Sequence, residues 1–319
     1  MHPLLDGSGY VMDSFLQTTS LVTREGTEVL ADGTEPDVGG GYGLFAQRQT
    51  LIGKDTSANL RDGRVLTVRL HNGQIKLFFD GRAEKTVDLP KEIAAENVTH
   101  FAEPCGKVML YLSAENATDG RPRVAVYDTA KDRWDTVNLA ENVGELCALV
   151  PGEEKNLLLV HSIEGRMQMY DVQVGEMMAE KETNVTQSSL LGACFFLQDQ
   201  YLLLNTQDGQ LLVYDARTLT EKMRYLLPEG SYSSPAFVQQ DDENRRLYFS
   251  CDGKAVCVDM RSWEPLFMLD NFLYFDAKDA EVYQCDSRYS GEGLVIITKV
   301  PDLEEITQMG RQMLEENGG

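Results

Sequence analysis

Four histidines, His2, His71, His100 and His161, are the side chains of this sequence best suited to hold a metal or shuttle a proton, and their spacing argues against both roles. No two stand in an HxH or HExxH arrangement, so no pair is placed on one strand or helix face to share an ion. The six cysteines (105, 147, 194, 251, 257 and 285) lack CxxC spacing and read as buried thiols. There is no P-loop, no strand–GxGxxG–helix unit and no GxSxG elbow. The glycine cluster "DVGGGYG", Asp37 to Gly43, is not followed by a helical pattern, so it reads as a loop and not as a phosphate cradle. The expectation is no catalytic residue, no metal and no cofactor.

A second kind of chemistry, charge capture, is better represented. Asn72, Asp119, Glu164, Asp208, Asp252 and Glu292 each stand directly before a glycine, and Glu115 and Glu141 lie in neighbouring polar connections. Turn geometry itself favours Asn and Asp at such places. It does not require that all of them avoid Lys and Arg. If one end of the fold gathers these positions, that end is acidic, and it would attract a basic segment of a partner.

The elements that position them repeat. Asp128 ("RVAVYD"), Asp171 ("RMQMYD"), Asp215 ("QLLVYD") and Asp259 ("KAVCVD") follow one another at 43, 44 and 44 residues. Asp80 ("QIKLFFD") precedes the first by 48, and a weaker copy, "GEGLVIITKV", spans Gly291 to Val300. Each copy has an apolar strand, a turn ending in glycine (Gly73, Gly120, Gly165, Gly209, Gly253, Gly293), a second alternating strand, the Asp, and a further strand. Another apolar segment precedes each hairpin. Asn-Gly, Asp-Gly or Glu-Gly between alternating apolar strands predicts type I′ hairpin turns. The five repeat aspartates read as strand-ending turn formers. The connections after them carry Arg82, Lys131, Arg133, Arg217 and Arg261, which predicts a comparatively basic opposite face. The charge runs "DDENRR" (241–246) and "GEEKN" (152–156) read as solvated loops.

Four strands in about 44 residues is the size of a propeller blade. The repeat, with Tyr-Asp or Val-Asp at its end, resembles a degenerate WD repeat over roughly residues 42 to 300, although no blade has a Gly-His dipeptide. The resemblance implies an all-β fold, a single β-propeller of four-stranded blades, with six signatures counted. On this reading residues 1–55 contribute strands that close the ring or supply most of a seventh blade, and 56–300 form the blades. Residues 301–319 form an amphipathic helix and tail, with Leu303, Ile306, Met309 and Met313 on one face. Asp302 is its N-cap and Glu305 stands at capping-box spacing. That helix either packs on the propeller or docks a partner.

Composition sets the partner class. Apolar residues make up 42% of the chain and charged residues 25%, a globular balance. Against 29 Lys and Arg stand 51 Asp and Glu, a net charge of −22, which repels phosphate backbones and anionic lipid. The N-terminus lacks the basic and apolar regions of a signal peptide, so an intracellular place, cytoplasm or nucleus, is expected. On the same ground the Asn-x-Thr triplets at 97, 116 and 184 are set aside. The expected function is a non-catalytic interaction platform or scaffold subunit of a hetero-complex, binding a basic protein and neither nucleic acid nor membrane. The alternative is a propeller enzyme, hydrolase or lactonase-like, with a metal or small-molecule site at the channel mouth. It predicts convergent carboxylates.

Overall fold

The computed structural model describes residues 2–3, 9–13, 18–23, 26–32, 56–60, 64–93, 98–228, 230, 232–233, 235–276, 279–286 and 294–299. All regular structure among them is strand, arranged as seven antiparallel sheets. The first holds β1 (His2–Pro3), β2 (Gly9–Asp13), β3 (Thr18–Thr23) and β4 (Gly26–Asp32). The second holds β5 (Thr56–Asn59), β6 (Val65–His71), β7 (Gln74–Phe79) and β8 (Arg82–Asp88), and the third β9 (Thr99–Ala102), β10 (Lys107–Leu112), β11 (Arg123–Asp128) and β12 (Arg133–Asn138). The fourth holds β13 (Leu146–Pro151), β14 (Leu157–Ser162), β15 (Arg166–Asp171) and β16 (Glu176–Glu182). In the fifth are β17 (Leu190–Phe196), β18 (Tyr201–Thr206), β19 (Gln210–Asp215) and β20 (Glu221–Leu226). The sixth comprises β21 (Phe237–Asp241), β22 (Arg246–Cys251), β23 (Lys254–Asp259) and β24 (Pro265–Asp270), and the seventh β25 (Phe272–Asp276), β26 (Glu281–Asp286) and β27 (Leu294–Lys299). In every sheet the strands follow in chain order, each beside the next. The segment "GLFAQRQTLIG", the glycine cluster at 37–43 and the expected helix of 301–319 lie outside the described residues.

The chain divides into two compact units, Met1–Leu5 with Tyr10–Ala236, and Asp6–Gly9 with Phe237–Gly319. In the first unit the core lies between successive sheets. One cluster joins the second and third sheets through Leu66, Ile75, Val108 and Tyr127. Another joins the third and fourth through Met109, Val126, Leu158 and Tyr170, and a third joins the fourth and fifth through Leu159, Met169, Leu204 and Tyr214. The strand after the turn, expected to alternate in polarity, is instead buried at four successive central residues in β11 and β15. The reason is that both faces of the third and fourth sheets meet a neighbour, which demands an apolar run and not a one-sided pattern. In the second unit Tyr248 lies against Phe267, Phe272 and Phe275, at centroid distances of 6.4, 6.1 and 4.5 Å.

The tyrosine of the Tyr-Asp signature closes the seam with the preceding sheet. Lys85 of β8 lies 5.9 Å from the Tyr127 ring centroid, and Lys181 of β16 lies 5.0 Å from that of Tyr214. Tyr170 instead donates to Gln168 Oε1 at 2.8 Å and accepts the Ala140 N–H at 2.9 Å. Each following aspartate turns the chain. Asp128, Asp171, Asp215 and Asp259 accept, through one carboxylate oxygen, the N–H groups two and three residues on. Asp80 differs: with Gly81 it forms a positive-φ pair, and its carboxylate accepts the Val65 N–H.

Two charge runs depart from the solvated-loop expectation. Asp241 and Arg246 face one another across β21 and β22 and are buried, and only Asp242, Glu243 and Arg245 between them are exposed. In "GEEKN" the N–H groups of Glu154 and Lys155 both reach Asp199 Oδ2 at 2.7 Å, so this loop is tied to the next sheet's turn.

Candidate partner-binding surface

In a meandering four-stranded sheet the turn between second and third strands lies at the same end as the connection to the next sheet. The first unit shows the two tied together. Ile163 N–H donates to Glu145 O, Gln187 N–H to Ile163 O, and Gln207 N–H to Ser189 O. The Arg166 guanidinium reaches Asn142 O at 2.8 Å, and that of Arg123 reaches Glu92 O at 3.2 Å.

The turns that present the acids are of three kinds. Asn72–Gly73, and in the second unit Asp252–Gly253, have positive φ at both residues (49° and 73°, 47° and 76°), the expected I′ geometry. Glu164–Gly165 and Asp208–Gly209 depart from the expected I′ turn, because only the glycine has positive φ. There a three-residue loop is closed by Gly165 N–H on Ser162 O and by Gly209 N–H on Thr206 O. Ser162 and Thr206 side chains then accept the Arg166 and Gln210 N–H groups. Asp119–Gly120 belongs to a longer loop between β10 and β11, which also carries Glu115.

Within the first unit this end of the sheets exposes Asn72, Glu115, Asp119, Glu141, Glu164 and Asp208. They are not equivalent. Asp119 pairs with Arg123, Glu141 stands 3.7 Å from Arg121, and Asp208 accepts from the Thr206 hydroxyl and from Gln210 Nε2. Those two donors hold the Asp208 carboxyl below the usual carboxylate range. Glu115 and Glu164 hold no ion pair among the described residues. Glu145, beside them and not among the residues expected from sequence, holds none either. It directly precedes the apolar run of β13, Leu146–Pro151. Burial and then the charges of Glu115 and Glu145 push the Tyr111 hydroxyl up to about 12. Asp252 is exposed in the corresponding turn of its own sheet in the second unit. Glu292, Leu303, Ile306, Met309 and Met313 lie outside the described residues.

The opposite ends of the first unit's sheets carry mixed charge, not a basic field. Lys131 pairs with Asp128 at 3.2 Å, Arg133 with Asp135 at 2.9 Å, and Lys85 with Asp132 at 2.6 Å. Arg82 and Arg217 are exposed there, as are Asp80 and Glu154. In the second unit Arg261 is exposed.

One pair that sequence spacing could not reveal is Cys147 and His161, whose Sγ and Nδ1 stand 2.9 Å apart. Register brings them together, since Ala148 pairs with His161 between β13 and β14. Cys147 also donates to Ser162 O at 3.2 Å, so its sulfur accepts from the Nδ1–H tautomer. An activated thiolate–imidazolium couple needs a depressed thiol and a raised imidazole. Here burial pushes the Cys147 thiol up to about 12 and His161 down to about 4. Both are neutral and packed. No group of three His, Cys, Asp or Glu able to hold a metal occurs among the described residues, and no helix there is long and apolar enough to cross a membrane.

No family model and no curated protein matches this sequence. Among solved structures, it is similar to the β-propeller domain of Cps50 (Swd1) from Myceliophteria thermophila. The likeness covers 94% of this chain and 95% of that one, with a TM-score of 0.52 at 13% sequence identity. Together with the repeated four-stranded meanders, it shows an all-β, WD-repeat-like propeller fold.

Proposed function

We propose that this propeller is a non-catalytic interaction platform which captures a basic protein partner within a larger assembly. One observation carries the reading. Where the first unit's turns and connections gather, Glu115, Glu145 and Glu164 are exposed and free of ion pairs among the described residues. The exposed cations of those loops are Lys91 and Arg121, and Arg121 stands beside Glu141. The chain's net charge of −22 adds a long-range field of the same sign, which speeds encounter with a cationic partner and repels nucleic acid phosphate. Apolar contacts made after docking would set specificity.

The test is capture of partners from cell extract by the full chain, at low and at moderate salt. A variant carrying Glu115→Lys, Glu145→Lys and Glu164→Lys is run beside it. A basic protein retained by the wild type, weakened by salt and lost from the variant supports the platform. An identical set of partners on both chains removes this surface from consideration.

A further inference from the structure

We infer that the turn between β17 and β18 is a sprung latch on the fourth sheet, and that the first unit is built to open at the seam this latch holds. Leu197, Gln198 and Asp199 have φ of 51°, 54° and 55°, three successive non-glycine residues in the left-handed region. That region is unfavourable for such residues and persists where the surroundings impose it. The corresponding first turns of other sheets do with less. Between β9 and β10 only Gly106 has positive φ, between β21 and β22 only Arg245, and between β13 and β14 no residue.

What the fifth sheet obtains from this conformation is the position of Asp199. The residue is buried, and its Oδ2 accepts the N–H groups of Glu154 and Lys155, both at 2.7 Å, in the first turn of the fourth sheet. Hydrogen bonds to a carboxylate are about twice as strong as those between neutral groups. The receiving turn is shaped for this acceptor, since a Cβ at Gly152 would stand 2.7 Å from the same oxygen. It is also backed from the other side. The buried Lys107 of the third sheet donates through Nζ to Gly152 O and, at 3.4 Å, to Lys155 O. One turn thus holds a carboxylate on its N–H groups and an ammonium on its carbonyls, and each polarises the peptide units toward the other. These contacts offset the backbone strain of residues 197–199, so the strain is stored only while the carboxylate is seated. Once it leaves, the turn relaxes, and reseating must rebuild the strain. The latch lies at the end of the sheets opposite the acidic turns and is independent of the partner proposed above.

Hydrogen exchange of the full chain, read by mass spectrometry on residues 152–156, tests this through a double-mutant cycle. Gln198 is exposed, so Gln198→Gly removes strain with little loss of packing. It should slow exchange at 152–156 about five-fold, although the substitution lies in another sheet, and leave residues 118–121 unchanged. Asp199→Asn, which keeps the shape and loses the charge, should speed exchange at 152–156 about ten-fold. In the Asp199→Asn background Gln198→Gly should no longer slow it, because the released turn has no strain left to relieve. Equal slowing in both backgrounds overturns the inference, since the strain then belongs to the hairpin alone. An unchanged rate in Asp199→Asn overturns it as well. If Asp199→Asn does not fold, the Gln198→Gly arm decides: no slowing at 152–156, or equal slowing at 118–121, means that no strain is held across the seam.

Discussion

His161 offers a quantitative test of how this core is built. Its imidazole is fully buried, held at Nδ1 by Cys147, and Nε2 has no hydrogen-bond partner among the described atoms. Burial lowers its pKa from 6.5 to about 4. The unfolded chain therefore takes up a proton at this residue before the folded one does, so stability is unaffected above pH 6.5 and falls as pH drops from 6.5 to 4. At about 1.4 kcal/mol per pH unit, the full loss is about 3 kcal/mol, of which about 2 kcal/mol has appeared by pH 5. The perturbation is His161→Leu, similar in volume and unable to titrate. Urea unfolding of wild type and variant, followed by tryptophan fluorescence at pH 7 and pH 5, isolates the contribution as the difference between the two pH dependences. Other titrating groups cancel in that difference. The absolute stability of the variant is immaterial to it. If both chains lose stability equally between pH 7 and pH 5, His161 is not a buried neutral imidazole and the packing argument fails.

Two further outcomes follow from the turns. Gly165 has φ +97°, and a Cβ there would stand 2.5 Å from the Thr183 carbonyl oxygen, so Gly165→Ala should destabilise by about 1–3 kcal/mol, while Gly73→Ala, strained in φ but in open space, should cost less. Thermal unfolding of the pair measures the difference, and equal costs would refute the close-approach argument. Asp215 accepts from Arg217 N, Thr218 N and Thr218 Oγ1 at 3.1, 2.9 and 2.9 Å. Burial works against its charge but is outweighed by the Thr218 and Arg217 donors, leaving its carboxyl below the ordinary value of 3.8. Asp215→Ala should therefore cost about 1 kcal/mol at neutral pH, and the gap from wild type should close as pH falls below about 4, where the carboxylate protonates. A gap that persists in acid would mean the loss is one of packing and not of these hydrogen bonds.

Much of this protein is decided by local chemistry and is therefore legible in one dimension. The 44-residue spacing of Asp128, Asp171, Asp215 and Asp259 follows from a unit of four strands, and glycine before each third strand follows from a turn that needs positive φ. The strand-ending role of those aspartates is equally local, because their acceptors and donors lie within three residues. What sequence spacing could not supply depends on contacts between distant residues. Cys147 meets His161 only because β13 and β14 pair in one register. The buried ends of "DDENRR" are buried because a strand pair carries them inward. At the supposed basic end Lys85 is balanced by Asp132, which the fold brings across from the next sheet, whereas Asp128 and Asp135 lie within three residues of Lys131 and Arg133. Charge on a side chain is written in the sequence. Whether that charge stays free to act at a distance is set by which opposite charge the fold places within a few ångströms, and only tertiary structure makes that choice.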